Sequence, residues 1–138
     1  LSDRILQLEY GIASIKNKLF IGYGLDKYAY IDKSLVPYFL KSKIIGAHNG
    51  YLAILTQYGI IFGGVILFII FQKSYTILLF FRDSEDSEKG YLFIIIYTLI
   101  AALYESLITG INEFHTILFW FSLSILSFSI YNRLEDAD

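Results

Sequence analysis

Ala47-His48-Asn49-Gly50-Tyr51-Leu52 leads into an uncharged run that ends only at Phe71. At ~1.5 Å of rise per residue, a helix of that length crosses a hydrocarbon core about 30 Å thick. The histidine and the amide stand directly before it, where lipid meets water. A titratable ring and a donor/acceptor amide at such a mouth suit a substrate that is half lipid and half sugar. The stretch reads both as the start of a membrane span and as the edge of a site.

Downstream, the first span covers residues 51–71, with Lys73 placed to snorkel. Gly59, Gly63 and Gly64 give small-residue spacing that permits close helix approach in lipid. Arg-Asp-Ser-Glu-Asp-Ser-Glu-Lys, residues 82–89, is a solvated turn in which nothing fixes a metal geometry. A second span covers 91–111, a turn follows at Asn112-Glu113, and a third span covers 114–131. Upstream, Ile5, Leu8, Ile12, Ile15 and Leu19 recur at helical spacing and predict an amphipathic helix over 4–20. That helix either packs on its own domain or lies in the membrane interface with Lys16 and Lys18 toward headgroups. Gly22-Tyr23-Gly24 breaks the pattern, and 21–47 reads as a polar, tyrosine-rich loop with short helical turns. The expected fold is an all-α membrane protein: an amphipathic helix and polar loop (residues 1–50), then about three transmembrane helices (51–138).

Composition agrees. Of 138 residues, 56% are hydrophobic and only 17% charged, against about 25% charged in ordinary soluble domains. Residues 1–50 hold seven basic and four acidic side chains; the rest of the chain holds four and nine. Lys73, Arg82, Lys89 and Arg133 flank one side of the three-span arrangement and favour it as cytoplasmic. His48 then faces outward. With no cysteine, disulfides and thiolate metal sites are excluded. No cofactor, metal or nucleic acid is expected. The chain has no methionine and no signal peptide, and reads as a piece of a larger multi-span protein.

Four residues are candidates for chemistry. His48 can take a proton from an attacking hydroxyl, or simply bond lipid headgroups. Asn49 is a ligand-facing amide or the turn residue that starts the helix. The Arg4 guanidinium suits a phosphate or pyrophosphate. Glu105 is an ionisable group inside the second span, where a carboxylate is costly and faces a bundle interior or watery cavity. It serves the site or a structural hydrogen bond. Glu113 and His115, two apart, do not share a helix face and make no metal pair. Tyr23, Tyr28, Tyr30, Tyr38, Tyr51 and Tyr58 are stacking faces for sugars or an ordinary aromatic belt.

Arg4, then Gly22-Tyr23-Gly24-Leu25, then Ala47-His48-Asn49-Gly50-Tyr51-Leu52, then Gln57-Tyr58-Gly59-Ile60-Ile61-Phe62-Gly63 follow in order. This series resembles the C-terminal half of the O-antigen ligase/polymerase family, with its arginine helix, G-x-G element and H-N-x-x-L signature entering a helix. The second glycine after Gln57 falls one residue later than in the family pattern. The motifs cover residues 2–71; the remainder is similar by hydropathy alone. The resemblance implies an enzyme of the bacterial cytoplasmic (inner) membrane that moves a glycan from undecaprenyl pyrophosphate to a glycan or lipid-core acceptor. It implies that Arg4 contacts the donor pyrophosphate and that His48 acts as base or orients the acceptor hydroxyl. It also implies further arginines on helices preceding this stretch. Two other readings stand beside it: a non-catalytic three-span accessory subunit, sensitive at Gly59 and Gly63 and tolerant at His48, and a transporter segment with Glu105 as its ion site.

Overall fold

The structure is a computed structural model that describes residues 2–27, 29–44, 46–82, 86–108 and 113–135. It contains four α-helices and, among the described residues, no strand: α1 (Ser2–Asn17), α2 (Gly50–Phe80), α3 (Asp86–Ala101) and α4 (Phe114–Glu135), with a short 3-10 turn at Tyr38–Leu40. Two of them, α2 and α4, are long and apolar enough to cross a membrane.

α2 is not the straight rod that its hydropathy suggests. Gly59 has φ 73° and ψ 176° and divides it into arms of residues 50–58 and 60–80. From the break to Tyr51 is about 12 Å of helix, and to Phe71 about 18 Å. Yet the rings of Tyr51 and Phe71 stack with centroids 5.5 Å apart. Contact is possible only if the chain reverses at Gly59 and the short arm lies back along the long one. Gly63 lets the arms close: a Cβ there would come within 3.2 Å of the Ile54 carbonyl and the Leu55 Cα. The spacing of Gly59 and Gly63 is therefore spent inside this hairpin, and Gly64 has nothing within 4 Å.

The G-x-G loop replaces the helical hydrogen bonds that the reversal removes. Tyr23 N–H donates to the Thr56 carbonyl (2.9 Å) and Gly24 N–H to that of Gln57 (3.0 Å), while Ile60 N–H donates to the Leu19 carbonyl (2.7 Å). The Gln57 amide bonds the Leu25 carbonyl. Every such bond matters, because an unmet backbone group away from water costs several kcal/mol in lipid (of order 1–3 in ordinary protein interiors). The loop is itself stapled to α1. Asp32 accepts from Tyr23 Oη (2.9 Å), Asn17 Nδ2 (3.1 Å) and Ser34 Oγ (2.6 Å), and its N–H donates to Ser14 Oγ (2.9 Å). The bonds from Ser34 hold the Asp32 carboxyl below its usual range, and burial pushes the Tyr23 hydroxyl up. A depressed carboxyl stabilises the fold above its ordinary value near 3.8 and loses that contribution as pH falls through the folded value. We expect the thermal midpoint to fall as pH drops below about 4, and Asp32→Asn to flatten that part of the profile while lowering the midpoint at pH 7.

α1 differs from expectation in its bounds. The helix occupies Ser2–Asn17 rather than 4–20, and Ile5, Leu8 and Ile12 of the apolar stripe are exposed. Its buried side is Gln7, Gly11, Ser14 and Ile15, small or polar apart from Ile15. Long apolar side chains likewise stand outward on α2 (Phe62, Phe68) and α4 (Phe121, Phe128), while Thr56, Ser74, Thr98 and Ser122 are buried. Only 33% of the most apolar window of α2 and 28% of that of α4 is covered, unlike a soluble core helix.

The second expected span is corrected. The helix ends at Ala101, not near 111, and residues 102–108 form an irregular turn; the expected end near 111 and Asn112 of the following turn lie outside the described residues. Apolar composition carries through Leu103, Leu107 and Ile108, but the backbone leaves the helix because other elements satisfy it. Gly50 N–H bonds the carbonyls of Ala102 (2.8 Å) and Glu105 (3.1 Å). The Asn49 amide donates to the Leu103 carbonyl (2.9 Å), Thr116 to that of Leu107, and Trp120 to that of Ile108 (3.1 Å). Irregular backbone among apolar helices is tolerated where protein groups meet its polar atoms in this way.

Candidate active site at the mouth of α2

Three elements meet where α2 begins. The 46–49 segment ends with Asn49 as the N-cap of α2, its Oδ1 accepting from Leu52 N–H (2.9 Å). The extended backbone of Asn49 is the conformation an N-cap needs. The 102–108 turn is held over this helix start by the bonds to Gly50 N–H and by Ser106 Oγ donating to the Ala47 carbonyl (3.1 Å). α1 closes the third side, with Gly11 against Ala47 and Leu52.

This packing gathers charged side chains from distant parts of the chain. Arg4 Nη2 lies 3.4 Å from Glu105 Oε1, and His48 Nδ1 lies 3.6 Å from Glu105 Oε2. The carboxylate therefore sits between a guanidinium and an imidazole, one oxygen toward each. All three side chains are about half exposed. Beside them opens a cleft of about 280 Å³, with Arg4, His48 and Asn49 among its polar walls and Leu8, Leu52 and Leu103 among its apolar ones.

Glu105 is placed differently from expectation. It stands past the end of α3, in the 102–108 turn, rather than within a spanning helix. A break in the helix lets its carboxylate reach Arg4, and its position beside the N-terminus of α2 adds a favourable dipole. Asn49 caps α2, latches the turn and stands in the cleft wall. Asn49→Ala should cost roughly 2 kcal/mol, about 1 for the cap and about 1 for the latch. Asn49→Asp keeps the acceptor for Leu52 N–H and loses the donor to Leu103, so its thermal midpoint should fall between the other two. Equal midpoints for Asn49→Asp and Asn49→Ala would show that the cap contributes nothing.

The sugar-stacking expectation for the tyrosines is not met at this cleft. Tyr23 bonds Asp32, Tyr51 bonds the Leu99 carbonyl, and Tyr58 packs on the core; Tyr104, which the sequence reading did not single out, is the tyrosine that lines the cleft. Tyr28 lies outside the described residues. Lys33 is likewise spent on the carbonyls of Lys41 and Ile44. Glu113 and His115 are not part of the lining, but Gln7 is. Its signal in the sequence is position: three residues after Arg4, on the same helix face. The chain matches no family model, no curated protein and no solved structure.

Proposed function

We propose that the chain carries the extracytoplasmic site of a membrane glycan transferase of the O-antigen ligase/polymerase type. The enzyme moves a saccharide from a polyprenyl pyrophosphate, such as undecaprenyl pyrophosphate, to a hydroxyl of a glycan or lipid acceptor in the bacterial cytoplasmic membrane. What carries the reading is that Arg4 and His48 line one cleft and are bridged by the Glu105 carboxylate, with Arg4 and Glu105 separated by 101 positions in the chain. The ordered resemblance of Arg4, G-x-G and H-N-x-x-L supports it.

The chemistry asks for few groups. The acceptor oxygen attacks the anomeric carbon, the bond from that carbon to the pyrophosphate oxygen breaks, and the pyrophosphate leaves with the electron pair. Arg4 stands where a guanidinium offsets that developing charge, with N–H groups to spare beyond the one facing Glu105. His48 takes the acceptor proton at Nε2, the nitrogen turned from Glu105. The Glu105 carboxylate orients the ring and stabilises the imidazolium that forms, as a carboxylate does in other histidine-based sites. The membrane setting is supported by two apolar helices of sufficient length and by the outward-facing apolar surface.

The test is transfer in membranes containing the intact protein, with a polyprenyl-pyrophosphate glycan as donor. His48→Ala and Arg4→Ala should each insert normally and fail to transfer. Full transfer by both variants ends the proposal.

A further inference from the structure

Gln7 is 9% exposed, lies in the cleft wall, and its Oε1 has no hydrogen-bond partner among the described residues. That is an unusual place to leave an amide. A buried carbonyl oxygen without a donor is destabilising, and an apolar side chain of the same shape removes the penalty. α1 has small or apolar side chains elsewhere on its buried face, Gly11, Ser14 and Ile15, so packing does not demand an amide here. Gln7 follows Arg4 by three residues, which sets the two side chains about 5–6 Å apart on one face of α1. The guanidinium stands at the mouth of the cleft and the amide one turn along its wall.

Building on the transferase reading, we propose that Gln7 reads the donor sugar: with the pyrophosphate at Arg4, its amide hydrogen-bonds a hydroxyl or acylamino group of the sugar attached to it. A phosphate is the wrong partner for this oxygen, because a phosphate offers acceptors and Oε1 needs a donor. A sugar ring supplies such donors in abundance. The terminal torsion of glutamine is broad, so the amide turns toward the cleft when a ring arrives. Recognition by one neutral hydrogen bond in a water-poor wall favours a ligand that carries the matching group over one that lacks it.

The experiment uses the intact protein in lipid nanodiscs, with two soluble probes: inorganic pyrophosphate and UDP-N-acetylglucosamine, a sugar linked to a pyrophosphate. Wild type should bind the sugar pyrophosphate roughly tenfold more tightly than pyrophosphate. Gln7→Leu should erase that preference and leave pyrophosphate affinity unchanged. Arg4→Ala should weaken both probes alike. Gln7→Leu should also unfold at the same temperature as wild type or higher, since it removes an orphaned buried oxygen; a purely structural amide would lower it. A preference retained in Gln7→Leu, or a fall in its thermal midpoint, overturns the assignment of Gln7 alone. Absence of binding of either probe to wild type overturns the pyrophosphate site at Arg4 and this proposal with it.

Discussion

Gly59→Ala unfolds the protein, while Gly64→Ala leaves it as stable as wild type or slightly more so. At position 59 the backbone has φ 73° and ψ 176°, a region that residues with a Cβ avoid, and a Cβ there would stand 2.2 Å from the Phe20 carbonyl oxygen. The dihedral strain alone is worth roughly 1–3 kcal/mol. The clash is with backbone, not with the end of a flexible side chain, so relief means moving the 19–25 loop off the hairpin. That breaks the bonds from Tyr23 N–H, Gly24 N–H and Ile60 N–H, at about 1 kcal/mol each net. Together the losses reach roughly 4–6 kcal/mol, comparable with the 5–15 kcal/mol that holds an ordinary domain together.

Gly64 lies in the long arm with open space around its Cβ position. Alanine there adds helix propensity of about 1 kcal/mol and touches nothing. Thermal unfolding of the purified protein in mild detergent separates the two. Gly59→Ala should fall by more than 10 °C or fail to be recovered folded, and Gly64→Ala should stay within a few degrees of wild type. Gly22→Ala should resemble Gly59→Ala, since its Cβ would lie 2.5 Å from the Gln57 carbonyl oxygen. A Gly59→Ala protein that melts beside wild type would mean that α2 runs straight and that the hairpin is wrong.

The sequence made the helices legible but hid how two of them stop. Phe114 opens α4 where the third apolar run begins, and Asn49 caps α2 where the H-N-G-Y-L stretch meets the apolar run. Both boundaries are local chemistry, readable from a few neighbours. The reversal at Gly59 is not local. Apolar residues continue on both sides of it, and the groups that require it, Leu19 and Phe20, arrive from a loop far upstream. The end of α3 at Ala101 is hidden in the same way, because Leu103, Leu107 and Ile108 keep the composition of a span while Asn49, Thr116 and Trp120 take over their carbonyls. The site was more legible than the path. Arg4, His48 and Glu105 stood out as charges or titratable rings against apolar surroundings, and the structure brings all three together. Gln7 escaped notice because a neutral amide at a helix position reads as solvated until burial is known.

The charged cluster yields the second large effect, and its pattern across variants says more than any one loss. On the proposed transferase reading, His48→Ala removes the proton acceptor and should lower the transfer rate by 10²–10⁴. Arg4→Ala leaves the leaving pyrophosphate without its guanidinium and should cost a similar factor. Arg4→Lys keeps the positive charge and an ion pair with Glu105 but lacks the planar fork, so it should recover little. Glu105→Gln should be milder, roughly 10- to 100-fold, and should leave the turn intact, because the bond to Gly50 N–H comes from the Glu105 backbone carbonyl. In that reading Glu105 acts through His48, so Glu105→Gln added to His48→Ala should cost almost nothing more. Independent, multiplying losses would place the carboxylate in a separate role. If Glu105→Gln alone abolished activity while His48→Ala transferred normally, the carboxylate would be the working group and the imidazole a bystander. The order Arg4 and His48 severe, Glu105 moderate, with Glu105 silent once His48 is gone, is what one guanidinium and one carboxylate-held imidazole produce at a shared cleft.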